Sequence, residues 1–133
     1  MFTRGEVVTA ILDLVGYVSG KPLHRMRLLE PSFGDGDFLL PAIDRLLEAY
    51  AREGGCAASA RSDLAGAIRA VELHHSSFER TARRVEERLS QAGLSKPDAL
   101  ALVAEWLICD DFLLCPLPHD FDAVIGNPPY VRQ

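Results

Sequence analysis

This sequence predicts an α/β fold built on a parallel sheet with helices on both faces. Three observations carry that reading. Segments with helical spacing alternate with short apolar runs along the whole chain, the order expected of strand–helix–strand units. The 133 residues are enough for one domain with one core, near the small end for such a sheet. The apolar share of 48% and the charged share of 25% are those of an ordinary globular chain.

The elements follow in order. Val7, Val8, Ile11, Leu12, Leu14 and Val15 recur at helical spacing and end near Gly16. Arg27 to Glu30 is a short apolar strand closed by Pro31. Phe38, Ala42, Ile43, Leu46, Leu47 and Tyr50 form the next helical stripe. Pro41 is tolerated there because it falls in the first turn, where backbone donors have no intrahelical partner. Glu53 to Ala60 is small and polar and reads as a surface loop, and Ala67 to Leu73 as the second strand.

Phe78, Ala82, Val85 and Leu89 mark another helix. Its other face carries Arg80, Arg83, Arg84 and Arg88 among Glu79, Glu86 and Glu87, a mixture expected of a solvated face rather than a phosphate site. Gly93 to Pro97 breaks the chain before a short helix through Ala104. Trp106 to Cys109 reads as the third strand and Phe121 to Ile125 as the fourth. The sequence shows no internal repeat, low-complexity tract or second domain.

Composition also excludes classes. No apolar run approaches the ~20 residues of a membrane span, and the start lacks the pattern of a signal peptide. Cys56, Cys109 and Cys115 are widely spaced and odd in number. Reduced thiols and a cytoplasmic location are therefore expected, with Cys109 buried in a strand. His24, His74, His75 and His119 have no metal-ligand spacing and are expected at the surface. The net charge of −5 argues against a stand-alone basic nucleic-acid face.

In an open parallel sheet, ligands bind beyond the carboxyl ends of the strands. Those ends carry Glu30-Pro31-Ser32-Phe33-Gly34-Asp35-Gly36, Glu72, Asp110-Asp111-Phe112, and Asn127-Pro128-Pro129-Tyr130. Gly34 and Gly36 fit a tight strand-to-helix turn that lets a ligand approach the backbone. The loop is acidic and lacks the lysine and serine of a Walker loop, so it suits a cationic ligand rather than a phosphate. Glu72 is placed to accept ribose hydroxyls. Either Asp110 or Asp111 can accept from an exocyclic amine beside the ring of Phe112. A plain tight turn and a solvated glutamate remain the alternatives for each feature taken alone. For Asn127 to Tyr130 the alternative is a rigid strand exit.

A cationic ligand bearing ribose and adenine but no phosphate describes S-adenosylmethionine. With these motifs the chain resembles the N-terminal part of the catalytic domain of an adenine-specific DNA methyltransferase. The likeness is to type II restriction-modification enzymes with Eco57I-like domains, in which the cofactor motifs precede NPPY. It covers nearly the whole chain. It implies the first four parallel strands of a Rossmann-like S-adenosylmethionine-dependent methyltransferase fold, with residues 1–133 lacking a target-recognition domain.

The resemblance gives Thr3, in Phe2 to Gly5, the donor's carboxylate, with Arg4 standing where the family has proline. It assigns Glu30, Pro31, Ser32, Phe33, Gly34 and Gly36 to the methionine end and Glu72 to the ribose. Asp111 and Phe112 go to the adenine through the match of Asp111-Phe112-Leu113, which favours Asp111 over Asp110. Ile125 to Tyr130 is the most specific match, and Pro129 counts on both the catalytic and the cofactor side.

The resemblance implies that adenine is flipped out of the duplex. The Asn127 side-chain oxygen and the Pro128 carbonyl would accept the hydrogens of its N6 amine. The two prolines would hold those acceptors in place, and Tyr130 would stack on the base. No metal is needed. The partner implied is double-stranded DNA, gripped through regions largely outside this chain, with a C-terminal half or recognition subunit completing the pocket. The 133 residues are accordingly expected to be a fragment with weak donor binding and little turnover. The fourth strand is expected to have an open edge. Two rivals share NPPY: a protein glutamine N5-methyltransferase, and an inactive methyltransferase remnant.

Overall fold

The computed structural model describes residues 2–117 and 120–126. At its centre is a four-stranded parallel sheet. The strands are β1 (Leu28–Glu30), β2 (Ile68–Glu72), β3 (Leu107–Cys109) and β4 (Ala123–Val124). Their spatial order is β3-β2-β1-β4. The chain steps outward from β1 to β3 and then returns to lay β4 on the other side of β1. That reversal is a topological switch point, and a crevice opens between the ends of β1 and β4. Every residue of β1 is buried, so both faces of the sheet are covered. The sheet and its helices thus form a Rossmann-like α/β arrangement.

The first helix, α1 (Arg4–Leu14), starts at a capping box: Thr3 Oγ1 accepts from Glu6 N–H at 3.1 Å, and the Glu6 carboxylate accepts from Thr3 N–H. Its apolar positions split between two faces. Val8 and Leu12 enter the core, whereas Val7 and Leu14 are exposed. Helix α2 (Leu39–Arg52) buries Leu39, Leu40, Ala42, Ile43, Leu46, Ala49 and Tyr50, with Pro41 in the first turn as expected.

The segment expected to be a surface loop holds a 3-10 turn, Ala57–Ser59, leading into the short helix α3 (Ala60–Asp63), and Ala60 is buried. Helix α4 (His75–Gln91) turns Thr81, Val85 and Leu89 inward. Helix α5 (Lys96–Trp106) is capped by Ser95 and has Pro97 in its first turn.

Three boundaries and placements differ from the sequence reading. Trp106 ends α5 rather than opening β3, because its indole is fully buried and donates Nε1–H to Leu64 O at 2.8 Å. Cys109 is exposed, since among the described residues β3 is an edge strand and this residue is its last. His24 is half-buried, edge-on to Tyr50 with ring centroids 5.6 Å apart, while His74 and His75 are exposed. His119 lies outside the described residues.

Among the described residues β4 is the opposite edge, and Val124 there is exposed. No helix of the described residues is long and apolar enough to cross a membrane.

Candidate functional site

The loop after β1 is held from three directions. Ser32 N–H donates to Glu30 Oε1 at 2.9 Å, and Phe33 N–H donates to Val71 O at 3.0 Å on β2. Gly34 uses both of its backbone groups: its N–H donates to Glu72 Oε1 at 2.8 Å, and its carbonyl accepts from Thr81 Oγ1 at 2.7 Å. Gly36 has φ +87°, and a Cβ there would lie 2.9 Å from Leu40 Cδ1 and 3.1 Å from Thr81 Cγ2. Its missing side chain lets α4 and α2 close around the turn. A Cβ at Gly34 would meet nothing within 4 Å. Gly34 is therefore the glycine that leaves room for a ligand.

Beside this loop, at the switch point, lies a cavity of about 590 Å³. Glu30, Ser32, Phe33 and Gly34 form its floor, Val7, Val8 and Ile11 of α1 one wall, and Gly126 the exit of β4. Phe2 and Arg4 line it too, and Arg4 bridges to Asp37 at 2.9 Å between the start of α1 and the end of the loop. Pockets of this size accept small-molecule ligands.

Glu30 is 1% exposed. Burial pushes its carboxyl up to about 8; the Ser32 N–H pulls it down, and the nearby charge of Glu72 raises it further. Burial thus favours the neutral form of this acid in the cavity wall. A cation entering the cavity would favour the carboxylate.

Glu72, 3% exposed, accepts from Gly34 N–H through Oε1 and from His74 N–H through Oε2, each at 2.8 Å. A carboxylate offers roughly four acceptor positions, and these two bonds are the ones it accepts among the described residues. Asp110 and Asp111 form a turn beyond β3, in which Asp111 N–H donates to Asp110 Oδ1 at 2.7 Å and Leu113 N–H to Asp111 Oδ1 at 2.9 Å.

The sequence-derived residues therefore fall into groups. Glu30, Ser32, Phe33 and Gly34 meet at the cavity, and Glu72 joins them through Gly34. Pro31, Asp111, Phe112 and Thr3 do not line that cavity, and Gly36 shapes the turn behind it. Asn127, Pro128, Pro129 and Tyr130 lie outside the described residues.

The structure adds participants that the sequence reading passed over. Thr81 was signalled only by its place in the apolar stripe of α4. Arg80 bridges Asp35 at 3.0 Å and Arg84 donates to the Asp35 carbonyl at 3.3 Å, so part of the arginine face reaches the loop. Gly126 stands inside the matched stretch Ile125 to Tyr130, but nothing in the sequence signals its close approach to Glu30.

The arrangement fits a ligand with a cationic centre and hydroxyl donors. It offers buried acidic side chains, one open backbone stretch and an apolar wall. Among the described residues no three His, Cys, Asp or Glu side chains come together as a metal site.

No family model matches the chain. Three proteins are similar to it along its length. The Type II methyltransferase M.PaeR7I of Pseudomonas aeruginosa is 57% identical over 134 residues, covering 99% of this chain and 23% of its own. The Type II methyltransferase M.XhoI of Xanthomonas vasicola is 50% identical over 133 residues, covering 100% of this chain and 24% of its own. The Type II methyltransferase M.BstVI of Geobacillus stearothermophilus is 40% identical over 137 residues, again covering 100% of this chain and 24% of its own. The chain thus spans about a quarter of the length of these relatives.

Proposed function

We propose that this chain is the methyl-donor-binding part of a site-specific adenine DNA methyltransferase of the restriction-modification type. One observation carries the reading: buried Glu30 and Glu72 flank the open Gly34 turn at the switch point of a parallel sheet. Similarity to Type II methyltransferases along the chain supports it. S-adenosylmethionine, when bound, supplies an activated methyl group on a sulfonium.

The chain's own residues bind and orient. Glu30 faces the cationic end of the donor, Ser32, Phe33 and Gly34 line its path, and the Glu72 carboxylate accepts from the ribose hydroxyls. Asp111 and Phe112 hold the adenine of the donor, while Thr3 reaches the carboxylate with the hydroxyl hydrogen that its capping role leaves free. Asn127 and Pro128 accept the two hydrogens of the target amine, which frees its lone pair for attack. Tyr130 stacks on the flipped base, a contact worth ~1–3 kcal/mol. DNA is gripped mainly by protein beyond these 133 residues, in keeping with a net charge of −5.

The test is a labelled-donor assay offering duplex DNA and, separately, glutamine-bearing protein substrates. It is run on the chain alone and with a C-terminal part of such an enzyme. Label in N6-methyladenine only when both parts are present is the expected result. Robust adenine methylation by the chain alone would sink the division of labour. Label in protein glutamine would sink the DNA reading.

A further inference from the structure

The carboxyl group of Glu30 and Gly126, at the exit of β4, line the same cavity side by side. The side chain is almost completely buried at the end of β1 and holds Ser32 N–H through Oε1. Strand β4 runs alongside in the register Leu28↔Ala123 and Leu29↔Val124, and Ile125 N–H donates to Leu29 O at 2.9 Å. That register brings Gly126 up against Glu30. Gly126 has φ +144°, and a Cβ there would lie 2.5 Å from Glu30 Oε1 and 3.1 Å from both Cδ and Oε2. No other residue type fits this approach without moving the carboxyl. In the sequence, Gly126 immediately precedes Asn127.

We propose that Glu30 is a positioning residue that couples the donor cavity to the chain leaving β4. One side of its carboxyl receives the donor's cationic centre, and the other side seats Gly126. The inference rests on the donor reading above and adds a function on the target-amine side.

The physical reason is geometric. Methyl transfer needs donor carbon and attacking nitrogen roughly 3–3.5 Å apart and in line. A wall shared by the two sides fixes their relative placement better than two independent contacts. A cation that draws on the Glu30 carboxyl acts on the group beside which Gly126 is seated so closely that there is no room for a Cβ. Gly126 is the first point at which that action enters the segment containing Asn127.

Amide NMR of the ¹⁵N-labelled chain, titrated with S-adenosylmethionine, tests this directly and detects weak binding. The Gly126 and Ile125 resonances are expected to shift together with those of Ser32 and Gly34. In Glu30→Gln the donor should bind roughly tenfold more weakly, the cost of one charge-assisted contact. At matched saturation Ser32 and Gly34 should still shift while the Gly126 shift is largely lost.

Gly126→Ala supplies a second arm. It should weaken donor binding by about tenfold in the wild-type background, and clearly less in a Glu30→Ala background, where the colliding carboxyl is gone. Shifts at Ser32 and Gly34 with a still Gly126 in the wild type would overturn the coupling. So would equal costs of Gly126→Ala in both backgrounds. Silence of all these resonances at high donor concentration would instead overturn the donor reading, and the coupling with it.

Discussion

The loop after β1 and the turn after β3 stand at the same carboxyl edge of the sheet, on either side of β2, yet they are secured very differently. The first is fastened by elements far away in sequence: Glu72 holds Gly34 N–H, Thr81 holds its carbonyl, and Val71 holds Phe33 N–H. The second is held mostly by itself. Asp110 and Asp111 accept from residues one and two positions on, and the main outside tie is Asp110 N–H to Glu72 O at 3.1 Å. Its apolar side chains stay uncovered, with Leu113 87% and Leu114 77% exposed. Under the proposed function, the methionine end of the donor site is built in advance by this chain, and its adenine end is left open. Local opening should follow the same order, easiest where long-range contacts are fewest.

The strongest way to break this contrast is Glu72→Ala. It strips the buried acceptor from two backbone donors, Gly34 N–H and His74 N–H. A loss of roughly 3–5 kcal/mol in urea unfolding is expected, since hydrogen bonds to charged groups contribute about 1.5–3 kcal/mol each. Asp111→Ala, on the open turn, should cost less than about 1 kcal/mol. Similar losses from the two variants would erase the distinction between the two ends.

A pH series sharpens it further. The Glu30 carboxyl sits at about 8 in the folded protein, against an ordinary 4.5, chiefly through burial. Between those values the folded state keeps a proton that the unfolded chain releases, so stability falls as pH rises. This contribution is fully present below the unfolded value and gone above the folded one. It should amount to a decline on the order of 5 kcal/mol across the window. Thermal unfolding of wild type and Glu30→Gln at about pH 5 and about pH 8.5 reads it as the difference between two slopes. Parallel slopes would mean that Glu30 is already ionised, and the cavity wall would then carry a charge rather than a neutral acid.

How much of this was legible beforehand depended on whether a feature is local. Glu30 and Glu72 could be found because each closes a short apolar run, and strand ends face the ligand edge in any parallel sheet. The glycine turn was legible for the same reason. Trp106 misled because an aromatic residue before Leu107 and Ile108 looks like strand, whereas its indole is used to tie α5 to Leu64. Cys109 misled because nothing local says that β3 is an edge.

The contacts that fasten the site were hidden more deeply. Thr81 meets Gly34 across 47 positions, and Gly126 meets Glu30 only because β4 is laid beside β1 rather than beyond β3. Strand order is a property of the whole sheet, and no short stretch encodes it.

The smallest expected effect concerns which contacts from α4 hold the loop. Two neighbours on that helix reach it by different means. Thr81 is fully buried and gives its hydroxyl to Gly34 O, while Arg80 bridges Asp35 with both side chains largely exposed, 61% and 67%. Thr81→Val keeps the shape but takes the donor from a part-buried carbonyl, so about 1–2 kcal/mol of stability and severalfold in donor affinity should be lost. Thr81→Ser should restore most of both. Arg80→Ala should change stability by no more than about 0.5 kcal/mol, because exposed ion pairs are screened and cost side-chain entropy to hold. Any such change should fade further at high salt. Donor affinity should stay within about twofold of wild type. The measurement is urea unfolding beside donor-binding calorimetry at low and high salt. An Arg80→Ala loss equal to that of Thr81→Val would put the arginine face inside the clamp. The loop's rigidity would then depend on ionic strength, as a clamp made of part-buried hydrogen bonds does far less.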